Sequence, residues 1–214
     1  MRKTRILIFI LIISLFLMEA GYAQWTENIA VNSTVKTGEL SGTFTEASII
    51  PDDYIEATKP NINKNSSVNS ILCEVSNFYP GGGATLDTVF KNDGTIPSKI
   101  TSITIQSDGN EAVPSGYTNL NDLSKFTLKS GEFIVDKYGT ENDLYIDLKD
   151  KSLNELERFL NEKIKANSMV LEPSNGNESE TVKFSNFHFV LNNNDETSEK
   201  SICRFTININ LAQN

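Results

Sequence analysis

The chain has little of what many enzymes use: its 214 residues include one histidine, His188, and two cysteines, Cys73 and Cys203. A zinc site of the His-Glu-x-x-His type needs two histidines, and a Ser-His-Asp triad would need His188 as its base. His188 instead stands between Phe187 and Phe189 in a predicted strand, and the chain has no Gly-x-Ser-x-Gly motif. Walker and Gly-x-Gly-x-x-Gly phosphate loops are absent as well. We therefore predict no enzymatic activity and no cofactor, and we leave metal binding open.

Acidic residues outnumber basic ones by 28 to 19, which gives a formal net charge of −9. A phosphate backbone would repel such a chain, so we expect no nucleic-acid partner. The densest acidic clusters are Asp52 with Asp53, residues 141–143, and Asp195 with Glu196. They fall in predicted loops and match no EF-hand spacing, so we interpret them as solvated charge.

The N-terminus has the order of a secretory signal peptide: a basic start, an apolar run over residues 6–18, and small residues up to Ala23. We predict that residues 1–23 are the signal and that cleavage falls between Ala23 and Gln24. One domain of residues 24–214 then remains. The apolar run is shorter than the roughly 20 residues of a membrane span, so an uncleaved anchor is the weaker alternative. We expect the mature chain to be secreted, or held at the cell surface by protein contacts, without contacting a membrane.

Cys73 and Cys203 each lie at an alternating apolar position of a predicted strand. After export the two cysteines could form one disulfide with each other, since their number is even. Alternatively, both remain free and buried and behave as small apolar side chains. The sequence leaves these two states open, because it does not give the distance between the cysteines.

Most of the mature chain shows the period-two alternation of β-strands, with turn signals at short intervals. The clearest strand runs from Cys203 to Leu211, and its even-numbered positions from Arg204 onward are predicted to face solvent. Two short strands are predicted on either side of residues 129–132, and residues 52–69 are interpreted as a loop with short extended pieces. About nine strands in all predict an all-β, antiparallel sandwich.

One segment departs from this pattern. Ser152 and Glu155 form a capping box, in which each side chain satisfies a free backbone donor at a helix start. Apolar residues then follow at steps of three and four: Leu153, Leu156, Leu160 and Ile164. This spacing predicts one amphipathic helix over residues 152–167, whose apolar stripe covers the core.

Four segments carry a family resemblance when they are taken in order. The first comprises residues 21–27, around the cleavage site at Ala23 and Trp25, and continues into residues 35–40, which contain Thr37-Gly38. The others are residues 77–81, residues 91–97 and the closing strand, residues 205–214. Together they resemble the TasA/camelysin type of secreted bacterial protein. The resemblance implies a jelly-roll sandwich, often released by a dedicated signal peptidase, and in some members an assembly into biofilm fibres.

The resemblance further implies a structural protein of the bacterial surface or extracellular matrix, with other copies or other surface proteins as partners. Ile29, Val31 and Val35 would then form a donor strand, because an end strand freed by cleavage can add to an exposed sheet edge. Two alternatives stay open. One is a camelysin-like surface protease, implied by the resemblance alone, and the other is a carbohydrate-binding sandwich module. The second would use flat aromatic side chains, for which the candidates are Trp25, Tyr54, Tyr79, Tyr117, Tyr138 and Tyr145; Tyr22 would be removed with the signal.

Overall fold

The computed structural model describes residues 2–23, 38–63, 69–108, 113–137, 143–174, 179–192 and 200–214. The chain divides into two compact units, Met1–Thr37 and Gly38–Asn214. The first contains helix α1 (Arg2–Ala23), which covers the predicted signal peptide. Among the described residues, no helix combines the length and the hydropathy that a membrane span requires.

The second unit is built from twelve described strands and one long helix. The strands are β1 (Gly42–Pro51), β2 (Glu56–Ala57), β3 (Asn61–Asn63), β4 (Ser70–Ser76), β5 (Gly83–Asn92), β6 (Ser98–Ser107), β7 (Thr118–Asn119), β8 (Phe126–Asp136), β9 (Leu144–Asp147), β10 (Val170–Leu171), β11 (Thr181–Leu191) and β12 (Ser201–Gln213). A short 3₁₀ helix (Leu123–Lys125) precedes β8, and helix α2 (Leu153–Asn167) lies between β9 and β10.

The strands form two sheets that face each other across one core. The first sheet has five strands in the order β1-β5-β11-β8-β9. The second has the order β10-β6-β12-β4-β2, with β3 also pairing with β4 and β7 pairing with β12. The described pairings are antiparallel, apart from the two-residue β7–β12 contact. The predicted all-β, antiparallel sandwich with one amphipathic helix is confirmed.

Aromatic side chains fill the space between the sheets. Phe189 of β11 and Phe205 of β12 meet edge to face, with ring centroids 5.2 Å apart, and so join the two sheets. Phe126 extends this contact, with its ring centroid 6.2 Å from that of Phe189, and Phe78 lies 5.0 Å from Phe126 in turn. All four rings are at most 1% exposed. Burying each such ring stabilises the fold by roughly 1.5–3 kcal/mol, which makes this cluster the main link between the layers.

Residues 129–132 do not separate two short strands as predicted, because β8 runs through them without a break. The inward positions of β8 change parity between Leu128 and Phe133, which is where the sequence predicts the break between two short strands. The structure absorbs the parity change instead through register shifts where β8 pairs with β11, around His188. Gly131 fits this irregular pairing, since a Cβ there would approach the Cα of Phe187 to 3.3 Å.

Arg204 corrects the prediction that the even-numbered positions of the last strand face solvent. It is only 7% exposed, and its guanidinium forms an ion pair with Glu74, the residue opposite it in β4. Further along β12, Asn208 and Asn210 do lie on the outer face and donate hydrogen bonds to β6 hydroxyls, at 3.1 Å and 2.9 Å. The alternation therefore identifies the face correctly, but it does not reveal that this face is covered near Arg204.

Helix α2 begins and ends where its sequence predicts. Ser152 is the N-cap, and its side chain accepts a hydrogen bond from the Glu155 N–H at 3.3 Å. Ser168 ends the helix in a left-handed conformation. The apolar stripe is buried as expected, at Leu153, Leu156, Leu160 and Ile164. The helix thus packs against the sandwich through that stripe.

Candidate functional site

The structural feature with the clearest functional meaning is the outer edge of β1. This ten-residue strand pairs with β5 from Gly42, opposite Asn92, to Pro51, opposite Ala84. In the part of the chain that the structure describes, no strand pairs with the other side of β1. A strand at the edge of a sheet presents a row of backbone N–H and C=O groups that another strand can bind. The edge of β1 therefore has the geometry of a strand acceptor.

The middle of β1 has few of the features that protect an edge strand. Its register with β5 shifts once, between Phe44 and Glu46, and its last residue is Pro51. Bulges, prolines and charges all discourage strand addition. Between the bulge and the proline, the strand carries one charge, at Glu46, and an isoleucine, Ile50, that is 62% exposed. This stretch remains suited to pairing.

The sandwich is also incompletely closed beside β1. Ala47 and Ile49 of β1, together with Ala57 of β2 and Ile62 of β3, pack against the core but stay partly exposed. An open depression of about 510 Å³ reaches this region; it is lined by residues 45–48 of β1, Lys59 and Ile62, and also by residues 87–89 of β5 and 183–185 of β11. A strand added along β1 with apolar side chains at alternate positions would cover these groups.

The end of β1 is held by a hydrogen-bonded pair that the sequence did not predict. The Nε2 atom of His188 lies 3.2 Å from Oδ2 of Asp52, and the Gly83 N–H donates to the same oxygen at 2.8 Å. The Asp52 N–H in turn donates to the Gly83 carbonyl at 2.9 Å. Gly83 must lack a side chain, because a Cβ would lie 2.0 Å from the Phe189 carbonyl oxygen. These contacts fix the point at which β1 leaves the sheet.

The chemistry of this pair is limited by what surrounds it. His188 lies between Thr85 of β5 and Ser130 of β8, and the Ser130 hydroxyl donates to the Asn186 carbonyl at 3.1 Å. The Asp52 carboxylate is engaged by a backbone N–H as well as by the imidazole. The geometry is that of a strand anchor. Asp52 had been interpreted as solvated loop charge, and no sequence signal connects it with a residue 136 positions away.

Cys73 and Cys203 are free thiols on adjacent strands, the second of the two states that the sequence left open. Cys203 stands opposite Val75, and Cys73 stands opposite Phe205, so the cysteines are diagonal neighbours. Diagonal positions are typically about 7–8 Å apart, which is longer than most disulfide Cα spacings. Burial raises the pKa of Cys73 to about 12, and burial followed by the nearby Cys73 raises the pKa of Cys203. Neither thiol is a nucleophile at neutral pH.

The exposed tyrosines of the described residues do not form one platform. Tyr54 is 91% exposed in a turn, with a left-handed backbone at φ 65°. Tyr79 is 40% exposed, and its ring lies over Gly82, within 2.6 Å of where a Cβ would stand. Tyr145 is on β9, at the opposite edge of the first sheet. Within the same described ranges, no group of three or more His, Cys, Asp or Glu side chains could hold a metal ion.

The predicted N-terminal site falls mostly outside the described residues. Ala23 is the last residue of α1, whereas Gln24 and the predicted donor strand at Ile29, Val31 and Val35 lie in the range 24–37. The structure thus describes the whole of β1, including its outer edge. The donor strand and the cleavage site stay predictions from the sequence.

No protein-family model, no curated protein and no solved structure matches this chain. The resemblance to TasA/camelysin-type proteins accordingly stays a prediction. Arguments about function rest on the geometry described above.

Proposed function

We propose that this chain is a structural subunit of a bacterial surface or extracellular-matrix assembly, and that copies join by strand addition. In this proposal the segment 29–35 of one copy pairs with the outer edge of β1 in the next copy. The observation that carries the proposal is the edge of β1, unpaired within the described chain and flanked by partly exposed apolar residues.

The donor segment fits the acceptor edge in length and pattern. The seven residues 29–35 are enough to pair with the five residues of β1 that lie between its bulge and Pro51, since strand addition pairs about one donor residue with each acceptor residue. Ile29, Val31 and Val35 share one face of an extended strand, because side chains alternate with a period of two. That face would cover Ala47, Ile49 and Ile62, which the sandwich leaves partly exposed. Backbone hydrogen bonds would provide affinity, and the apolar face would set the register.

In this proposal, assembly cannot begin before the signal peptide has been removed. The proposed donor strand lies directly after the predicted signal peptide, so it becomes a free end strand only after cleavage at Ala23. Copies that still carry the signal would have their donor segment tethered to a hydrophobic helix. Assembly would then begin outside the cell, where the matrix is needed.

The principal test follows the purified mature chain, residues 24–214, by light scattering and electron microscopy over several days. We expect filaments, and we expect none from a chain that lacks residues 24–35. That shortened chain keeps its acceptor edge, so a small proportion mixed into the full mature chain should shorten the filaments by capping one end. Filaments that form equally well without residues 24–35 would exclude this mechanism.

A matched pair of substitutions tests the acceptor edge. Ser48 and Ile50 are exposed on β1, and lysines at both positions should block strand addition, since charged side chains protect sheet edges. The control is Tyr145→Lys, because Tyr145 is 60% exposed on β9, the other edge strand of the same sheet. A synthetic peptide of residues 24–37 should bind the shortened chain, whereas a scrambled peptide should not. Equal inhibition by the β1 and β9 substitutions would show that the edge of β1 has no special part in assembly.

A further inference from the structure

The second sheet has an edge that is closed in an unusual way. The outer side of β6 pairs with the two-residue strand β10 at Ser98 and Lys99, and the Ile100 N–H donates to the Met169 carbonyl at 2.9 Å. Beyond Ile100, no described strand lies on that side of β6. The rest of this ten-residue strand, residues 101–107, would thus be a second free edge.

Two side chains of helix α2 bind this stretch in place of a strand. Asn161 accepts a hydrogen bond from the Ile103 N–H at 2.8 Å, and its Nδ2 donates to the Ile103 carbonyl at 2.9 Å. One turn earlier, a Glu157 carboxylate oxygen accepts from the Ile105 N–H at 3.0 Å. The side-chain amide of Asn161 therefore presents the same donor and acceptor as the peptide group of a neighbouring strand.

The segment that is covered in this way is prone to pair with itself. Residues 100–107 read Ile-Thr-Ser-Ile-Thr-Ile-Gln-Ser, with three isoleucines, two threonines and no charged residue. High β-propensity without charge or proline is the composition of segments that stack edge to edge. A second copy of the chain offers the identical segment, and two such edges match in an antiparallel, two-fold arrangement.

We infer that helix α2 is an edge blocker: Asn161 and Glu157 occupy the backbone groups of β6 so that β6 cannot pair with β6 of a second copy. The buried stripe at Leu156 and Leu160 keeps the helix docked, and the two polar residues beside it occupy the edge itself. The blocking does not depend on the proposed function. Its consequence for assembly, that growth is restricted to the edge of β1, rests on that proposal.

The test uses the chain without residues 24–35, so that donor-strand assembly cannot contribute. This chain retains the whole of Gly38–Asn214, a compact unit with its own core. The variants are Asn161→Ala, alone and combined with Glu157→Ala. Two controls accompany them: Asn154→Ala, an exposed asparagine on the same helix, and Glu157→Gln, which keeps an acceptor oxygen. Hydrogen exchange of the Ile103 and Ile105 amides reports on the edge, and sedimentation reports on association.

In Asn161→Ala we expect the Ile103 amide to exchange on the order of tenfold faster, because one net hydrogen bond corresponds to about that factor. The double variant should also expose Ile105 and form dimers or larger species, while both controls stay protected and monomeric. If the double variant unfolds, Asn161→Ala alone decides, with Ile103 exchange and association followed over a range of protein concentrations. Faster exchange without any association would overturn the inference, as would unchanged exchange. A mature wild-type chain that forms no filaments would count against the proposed function alone.

Discussion

Asn92 is predicted to be the most costly polar side chain to remove from this fold. It is fully buried at the end of β5, and its Nδ2 donates to the carbonyls of Ile96 and Leu171, each at 2.9 Å. Its Oδ1 accepts from the Gly94 N–H at 3.0 Å. The substitution Asn92→Ala removes these three hydrogen bonds and leaves their partners without a side-chain partner. At about 1 kcal/mol net per bond, the free energy of unfolding should fall by about 3 kcal/mol.

Chemical and thermal denaturation of the chain measure this loss. For a domain of this size, about 3 kcal/mol corresponds to a drop in the midpoint temperature of roughly 6–12 °C. The control is Asn210→Ala, an exposed asparagine with one hydrogen bond to Ser102, which should cost within about 0.5 kcal/mol. The nearly isosteric Asn92→Asp should be destabilising at neutral pH and recover in part on acidification, when the carboxyl can again donate one bond. A loss from Asn92→Ala no larger than that of Asn210→Ala would refute the reasoning.

Three further outcomes are expected. Without reductant, a thiol reagent should react with no cysteine of the native chain at pH 8 and with two cysteines after unfolding. The reason is that burial raises the pKa of Cys73 to about 12 and also raises the pKa of Cys203. If no thiol reacts after unfolding, the two cysteines form a disulfide. Phe189→Ala should lower the free energy of unfolding by about 3–5 kcal/mol in a denaturant titration, since its ring joins the two sheets, and a loss near 1 kcal/mol would contradict that role. Hydrogen bonds from the Ser124 hydroxyl and N–H lower the pKa of Asp122, so its capping contribution should be present above the ordinary aspartate pKa and lost as the pH falls through the lowered value. An NMR titration of the Asp122 carboxyl with an ordinary midpoint would disprove this.

The sequence predicted the fold class because the physical signals for it are local. Alternation with a period of two identified the long strands, and Ser152 with the stripe from Leu153 to Ile164 identified the helix to within a residue. Errors arose where pairing between distant strands overrode the local pattern. The parity change between Leu128 and Phe133 indicated two separate strands, because the compensating register shift lies in the pairing with β11, a separate part of the chain.

The sites were less predictable, for the same reason. Asp52 and His188 meet because β1 and β11 both pair with β5, one on each side, which brings the end of β1 close to His188 of β11. Nothing in the sequence near either residue indicates that contact. Glu157 and Asn161 are one helical turn apart beside the apolar stripe, so the sequence does place them on one flank. It cannot show that this flank faces the Ile103 backbone. The sequence did not predict that β1 is an edge strand either, because edge position depends on which other strands pair with it.

The position of β12 has a consequence for the order in which the fold can form. β12 is the last described strand, yet it lies in the middle of its sheet, between β6 and β4, and joins Arg204 to Glu74 across 130 positions. During synthesis, β10 can pair with β6, and β2 and β3 can pair with β4, but these two halves of the sheet cannot join until the final segment is available. Closing so long a loop is slow, and folding rates fall as such distant pairings dominate. The second sheet, and with it the closed core of the sandwich, would therefore be completed only when nearly the last residues of the chain are available.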